Sequence, residues 1–339
     1  MRSIRPLQLV ALYVLAALLL YLFDGELVRP RRVSAFPVIQ KKESLSLILL
    51  GDMGQPGPQR ERVLEQVRRE EKDYVVALGD LIYPHPPPCK NGSPSPRDLP
   101  FYQKSVAGGL KALGAPVLAV LGNHSYYQGS IRGLVYLPYP WLPTPRERGA
   151  DQRGRVLSPA ACVVDFLSTL PHVYLPALDY NVDLGVAQIA FVDTNHLDGE
   201  AATVVKEGFS RGTGWKLLFG HHVLKTYHDK TRENLVRPWL REHRIKPDLY
   251  ANGHAHLLQL GIYDGIPAVT SGTGSKLRRR PSCPPKCGAG QRWGVSQFGY
   301  ARLEVSADAL ALSFKNSSGE TLHRWRRQKG EPLSGERAR

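Results

Sequence analysis

The chain has 339 residues, 42% of them hydrophobic, which excludes a wholly disordered protein and leaves room for one large domain or two modest ones. Lys and Arg outnumber Asp and Glu by 45 to 30, and the resulting net charge of +15 favours phosphates, acidic polymers or anionic headgroups as partners. No helix-turn-helix, zinc-finger or aromatic RNP-type pattern accompanies the charge, which argues against a specific nucleic-acid partner.

In chain order, the first feature is an apolar run at residues 7–23 behind Arg2 and Arg5. A signal-peptide core takes ~7–15 residues and a spanning helix ~17–25, so the run predicts an uncleaved signal anchor over residues 1–24. Arginines ahead of the run hold that end in the cytoplasm and export the rest of the chain. Secretion after cleavage at Val33-Ser34-Ala35 is the alternative. Residues 25–44, basic and proline-containing, predict a stalk, residues 45–326 one folded domain, and residues 327–339 a basic disordered tail. The lysines and arginines of residues 276–292, with no acid among them, predict a solvated basic face.

Within the domain the pattern is strand 46–50, helix 59–71, strand 74–78, a helix near 101–113 and strand 116–121. Strands around 180–193 and at 215–219, a helix near 232–243, strand 248–251 and a β-rich stretch through 257–263, 268–271 and 300–314 follow. Proline-rich insertions at 84–100 and 138–159 predict surface loops beside a site. Cys89, Cys162, Cys283 and Cys287 permit one or two disulfides in an exported chain, with Cys283 and Cys287 spaced to close a small loop.

Five stretches share one layout, an apolar strand ending in glycine and followed by side chains that bind metals. They are LLGDMG at 49–54, LGDLIY at 78–83, LGNHS at 121–125, FGHH at 219–222 and NGHAH at 252–256. Glycine lets the chain turn off the strand and direct the next side chain into the crevice at the carboxyl edge of a sheet. A single such turn is commonplace, whereas five in this order define a site.

This series resembles the calcineurin-like metallophosphoesterases, whose motifs run Asp, GD, GNH, GH and GHxH. The resemblance implies a four-layer α/β/β/α fold, two mixed β-sheets flanked by helices, here preceded by the N-terminal membrane helix. Much of that superfamily carries Asp-x-His in the first motif, but here Gly54 stands at the histidine position. GDMG followed by GDxxY is similar to the purple acid phosphatases, in which a tyrosinate binds ferric iron. An anionic oxygen in place of an imidazole makes that site harder and favours a trivalent cation.

Carried over residue by residue, the resemblance implies a first metal on Asp52, Asp80, Tyr83 and His256, and a second on Asp80, Asn123, His221 and His254. It implies Fe3+ at the Tyr83 site, Fe2+, Zn2+ or Mn2+ at the other, and one Asp80 oxygen facing each cation. His254 and His256, two apart on an extended segment, are expected to point the same way. Such cations lie ~3.5–4 Å apart and hold a hydroxide for in-line attack on phosphorus. His124, His222 and His228 are the candidates for protonating the leaving group. The expected activity is hydrolysis of anionic phosphomonoesters. The alternatives are a phosphodiesterase or pyrophosphatase acting on nucleotides or lipid headgroups, and a non-catalytic metal-bearing scaffold for acidic partners.

Overall fold

A computed structural model describes residues 39–84, 86–87, 89–90, 93–126, 160–225, 235–279, 282–284 and 286–331. The expected signal anchor, most of the stalk and the insertion at 138–159 lie outside the described residues. No helix of the described residues is long and apolar enough to cross a membrane.

The chain opens with β1 (Ser44–Leu50), α1 (Pro58–Arg69) and β2 (Tyr74–Leu78). Helix α1 begins with Pro58, whose fixed φ suits the first turn, and turns Val63, Leu64 and Val67 inward. A two-residue hairpin, β3 (Cys89–Lys90) and β4 (Ser93–Pro94), lies within the first proline-rich insertion. The expected helix near 101–113 is instead α2 (Leu99–Phe101), a π-helical turn (Tyr102–Ala107) and α3 (Gly108–Ala112). Next come β5 (Val117–Val120), a 3-10 turn (Asn123–Tyr126), α4 (Ala160–Ser168), β6 (Val173–Tyr174), β7 (Tyr180–Asp183) and β8 (Ala187–Phe191). The second half holds α5 (Gly199–Ser210), β9 (Trp215–Phe219), α6 (Val236–Glu242), β10 (Leu249–Asn252), β11 (Leu258–Tyr263) and β12 (Ile266–Ser271). Four strands close the chain: β13 (Gln291–Val295), β14 (Gly299–Ser306), β15 (Ala309–Asn316) and β16 (Thr321–Gln328).

These strands form two seven-stranded mixed sheets, in the orders β16-β15-β14-β1-β2-β5-β6 and β13-β11-β12-β10-β9-β8-β7. In the first, β1, β2, β5 and β6 run parallel and β14 to β16 antiparallel; in the second, β12, β10, β9 and β8 are parallel. Strands β2, β5, β8, β10 and β12 are buried along their whole length, as continuous apolar runs in a parallel sheet must be. One apolar cluster joins Leu47, Leu49 and Leu303 of the first sheet to Trp215, Leu217, Leu249 and Val269 of the second. Helices α5 and α6 pack on the second sheet through Val205, Phe209, Trp239 and Leu240. Two mixed sheets with flanking helices are the architecture the motif series implies.

Strand β16 runs through Gln328, so regular structure continues past the expected domain end at residue 326, and only residues 332–339 of the basic tail lie outside the described residues. Its arginines had obscured a period of two: Arg324 and Arg326 are exposed, while Trp325 lies on the other face and the His323 ring stacks on Trp293 at 4.9 Å. Cys283 and Cys287 form a disulfide, closing the small loop their spacing allows.

Candidate metal centre

Asp52 lies two residues past the end of β1, Asp80 two past β2, His221 two past β9 and His254 two past β10, while Asn123 opens the 3-10 turn three residues past β5. All five strands are parallel members of their sheets, so their carboxyl ends share one edge and the side chains beyond them converge. Every candidate oxygen donor (Asp52, Asp80, Tyr83 and Asn123) follows a strand of the first sheet. Every candidate nitrogen donor (His221, His254 and His256) follows a strand of the second.

The first half of the centre is built on Tyr83. Its hydroxyl donates to Asp52 Oδ1 at 2.7 Å and lies 2.8 Å from Asp80 Oδ2 and 3.1 Å from His256 Nε2. Asp52 Oδ1, an Asp80 oxygen and a His256 nitrogen form a cluster of metal-ligand size. The residue at the missing histidine position also has a physical account. A Cβ on Gly54 would sit 2.3 Å from the Ile82 backbone nitrogen, so no side chain fits there.

In the second half, Asn123 Oδ1 lies 3.0 Å from His221 Nε2 and 2.9 Å from His254 Nδ1, and the two histidine nitrogens are 3.3 Å apart. His221 Nδ1 is 2.7 Å from the Leu78 carbonyl, which can only accept, so Nδ1 carries the hydrogen and the neutral ring keeps its lone pair at Nε2. That lone pair converges with Asn123 Oδ1 and Asp80 Oδ2, the latter at 3.4 Å. Acceptors directed at one another are stable only around a cation or a proton.

Asp80 joins the halves differently from the expectation. Its Oδ1 is occupied by the backbone N–H of His124 at 2.9 Å, so Oδ2 alone faces both Tyr83 and His221. The extended segment expected for His254 and His256 is also absent. Both residues lie in the left-handed region, with φ of 67° and 52°, because β10 has ended at Asn252 and the chain turns. The two rings reach opposite halves, His254 towards Asn123 and His256 towards Asp52. Asp52 and Asp80 are left-handed too, at 58° and 52°. Backbone of this kind costs ~1–3 kcal/mol per residue and persists only where surrounding contacts enforce it.

Electrostatics follow from burial, since Asp52, Asp80 and His221 are almost wholly enclosed. Burial resists charge on Asp80, but the His221 and His124 imidazoles overcome it and hold the carboxyl well below its usual range. Burial likewise opposes charge on His221, and the Asp80 carboxylate more than offsets it, pushing the imidazole up to about 9. Burial and then Asp52 and Asp80 drive the Tyr83 phenol far above its ordinary value, so a phenolate forms only if a cation takes the place of its proton. The donor set therefore fits two cations, the first half being rich in anionic oxygen and the second in neutral donors.

His124 lies at the mouth, its ring edge-on to Tyr83 at 4.4 Å and its Nδ1 bonded to the Pro84 carbonyl. The ring of His222 is 5.3 Å from that of His221 and 4.6 Å from that of His254. His228 lies outside the described residues. Two further residues escaped the sequence reading. Lys276, placed on a solvated basic face, sits with its ammonium 3.7 Å from the centre of the Tyr83 ring. Thr194, fully buried just beyond β8, bonds to both His221 and His222. A lysine in a basic run and a threonine after a strand carry no signal of their own.

The model of the calcineurin-like phosphoesterase family matches residues 45–258, which contain all seven converging donors.

The chain belongs to the calcineurin-like phosphoesterases.

It is a metal-dependent phosphoester hydrolase of that family, in which a dinuclear metal centre is implied. Among curated relatives it is 29% identical to purple acid phosphatase 4 of Arabidopsis thaliana over 304 residues, 83% of each chain. It is 28% identical to purple acid phosphatase 7 of the same plant over 335 residues, 92% of this chain and 94% of that one. The fold is shared with GAP50, the anchor in the inner membrane complex of Plasmodium, at a TM-score of 0.56 and 15% identity, covering 85% of this chain and 89% of the other. It is also shared with PhoD, at 0.54 and 13%, covering 87% and 72%.

Proposed function

We propose that this phosphoesterase is a dinuclear phosphomonoesterase of the acid phosphatase kind. In this reading Asp52, Asp80, Tyr83 and His256 hold a first cation, Fe3+, and Asp80, Asn123, His221 and His254 hold a second, Fe2+, Zn2+ or Mn2+. The observation that carries it is the convergence of Tyr83 with Asp52, Asp80 and His256, in a pocket where Gly54 leaves no room for a histidine. Likeness to purple acid phosphatases over most of the chain supports the same reading.

A bound pair of cations supplies charge neutralisation for the phosphate and an acidified water as nucleophile. The protein supplies the rest. Backbone N–H groups of His254 and His124 fix Asp52 Oδ2 and Asp80 Oδ1, at 2.7 and 2.9 Å, so each carboxylate turns its other oxygen inward. The Leu78 carbonyl sets the His221 tautomer. His124 keeps its Nδ1 hydrogen on the Pro84 carbonyl, so it can pass a proton to the leaving alkoxide from Nε2 only as the imidazolium, and burial, which disfavours that form, would confine this role to acidic solution. The net positive charge gathers anionic substrate.

In the same reading the apolar run at residues 7–23 would tether the enzyme to a membrane with its catalytic domain on the non-cytoplasmic side, and the Cys283–Cys287 disulfide is in keeping with an oxidising compartment. The test is to load the purified full chain with iron and a divalent metal, count metals, record the visible spectrum and compare p-nitrophenyl phosphate with its bis ester. A purple protein that hydrolyses the monoester faster is expected. A colourless one removes the ferric assignment, and preference for the bis ester removes the monoesterase.

A further inference from the structure

His221 and His222 are consecutive, yet their rings are held by different partners. The hydrogen of His221 Nδ1 goes to the Leu78 carbonyl. His222 Nδ1 lies 2.8 Å from the Thr194 hydroxyl. That same hydroxyl accepts the backbone N–H of His221 at 3.2 Å and of His222 at 3.0 Å. A threonine oxygen has two lone pairs and one hydrogen. With both lone pairs taken by N–H groups, its hydrogen is left for His222 Nδ1, which therefore accepts. The neutral ring then carries its own hydrogen at Nε2, on the opposite side from Thr194.

The packing enforces this inventory. Thr194 is fully buried, and a Cβ on Gly220 would fall 2.5 Å from its methyl, so glycine is needed for the loop to close on it. The hydroxyl of Tyr250 donates to the His222 carbonyl at 2.5 Å and holds the same turn from the other side. Next to Thr194, Asp193 binds Tyr126 of the 3-10 turn that carries Asn123 and His124. One short loop beyond β8 thus fastens turns on both sheets.

We propose that Thr194 is a positioning residue that sets His222 in the tautomer opposite to that of His221. His221 presents a lone pair to a metal, whereas His222 presents an Nε2 hydrogen to a phosphate oxygen beside the second half of the centre. The inference rests on the phosphoesterase reading for its ligand, but the tautomer is a property of the chain alone.

The experiment uses full chain labelled with 15N histidine, metal-free and zinc-loaded, and long-range 15N–1H correlation spectra to identify the protonated nitrogen of His222. The wild-type and Thr194→Ser proteins are expected to show hydrogen at Nε2 and none at Nδ1. Thr194→Val should lose that fixed pattern and weaken competitive inhibition by inorganic phosphate about 10-fold, the scale of a lost hydrogen bond to an anion or of a lost outer partner. Should Thr194→Val fail to fold, the wild-type spectrum and the His222 variants decide. His222→Gln keeps a donor near the Nε2 position and should retain phosphate affinity better than His222→Asn, whose amide reaches only the Nδ1 position. Hydrogen at Nδ1 in the wild type, or unchanged tautomer and phosphate affinity in Thr194→Val, overturns the proposal. An Nε2–H tautomer in a protein that turns over no phosphoester would uphold the positioning role and sink the proposed function instead.

Discussion

The two sheets contribute unequal chemistry to one crevice. The first supplies enclosed oxygen donors beyond β1, β2 and β5, the carboxylates of Asp52 and Asp80 among them; the second supplies imidazoles beyond β9 and β10, two of them partly exposed. Neither sheet holds a complete donor set, so the centre exists only while the two are packed together. Metal affinity and sheet packing are therefore one linked equilibrium, and a defect in either should be read out in the other.

The largest effect is expected where the sheets meet. Asp80→Ala removes the oxygen that faces both halves and should lower turnover by about 10³-fold, the upper range for losing one preorganised electrostatic group. Steady-state kinetics with metal counting will show whether both cations leave. Chelation tests the link from the other side. Metal at a hundredfold excess over its dissociation constant adds about 2.7 kcal/mol to stability, so stripping it should lower the calorimetric melting temperature by about 5–10 °C.

Asp179 sharpens the comparison within the second sheet. Burial and the neighbouring Asp193 push its carboxyl up to about 8, while its Oδ1 accepts the Asp193 N–H at 2.8 Å. A folded value raised above the unfolded one gives stability that is complete below about pH 4 and is lost as pH rises through about 8, by at most about 1.4 kcal/mol per unit. Denaturant unfolding at about pH 5 and pH 8 should show that loss in the wild type and a flatter profile in Asp179→Asn.

If the proposed ferric ion is bound, Tyr83→Phe should abolish its purple band and reduce metal affinity or activity by about 10–100-fold, leaving the imidazole half intact. The smallest effect belongs to Lys276. Lys276→Met removes a cation from the Tyr83 ring, an interaction worth about 0.5–2 kcal/mol, and should move the visible band to longer wavelength with little change in metal content.

Much of this contrast was legible in the sequence, because a glycine turn after an apolar strand writes itself in consecutive residues. The strands carrying Asp52, Asp80, Asn123, His221 and His254 were read to within one or two residues at either end. What the sequence hid was set by tertiary context. Helix α5 was missed because Thr203, Val204, Val205 and Gly208 are weak helix formers, held by packing on β8. Strand β16 was concealed by its arginines, and the turn at His254 and His256 was missed because left-handed backbone at a histidine leaves no mark in the residue type. Thr194 and Lys276 acquire roles only from what folding places beside them.

Four of the donors sit in backbone that side chains resist, and this sets the chain's chemistry against its own durability. Glycine at position 52, 80, 254 or 256 would relax the main chain while deleting a ligand. Drift under selection for robustness alone would thus tend to empty the crevice, and inert descendants of this fold should be sturdier than their active ancestor.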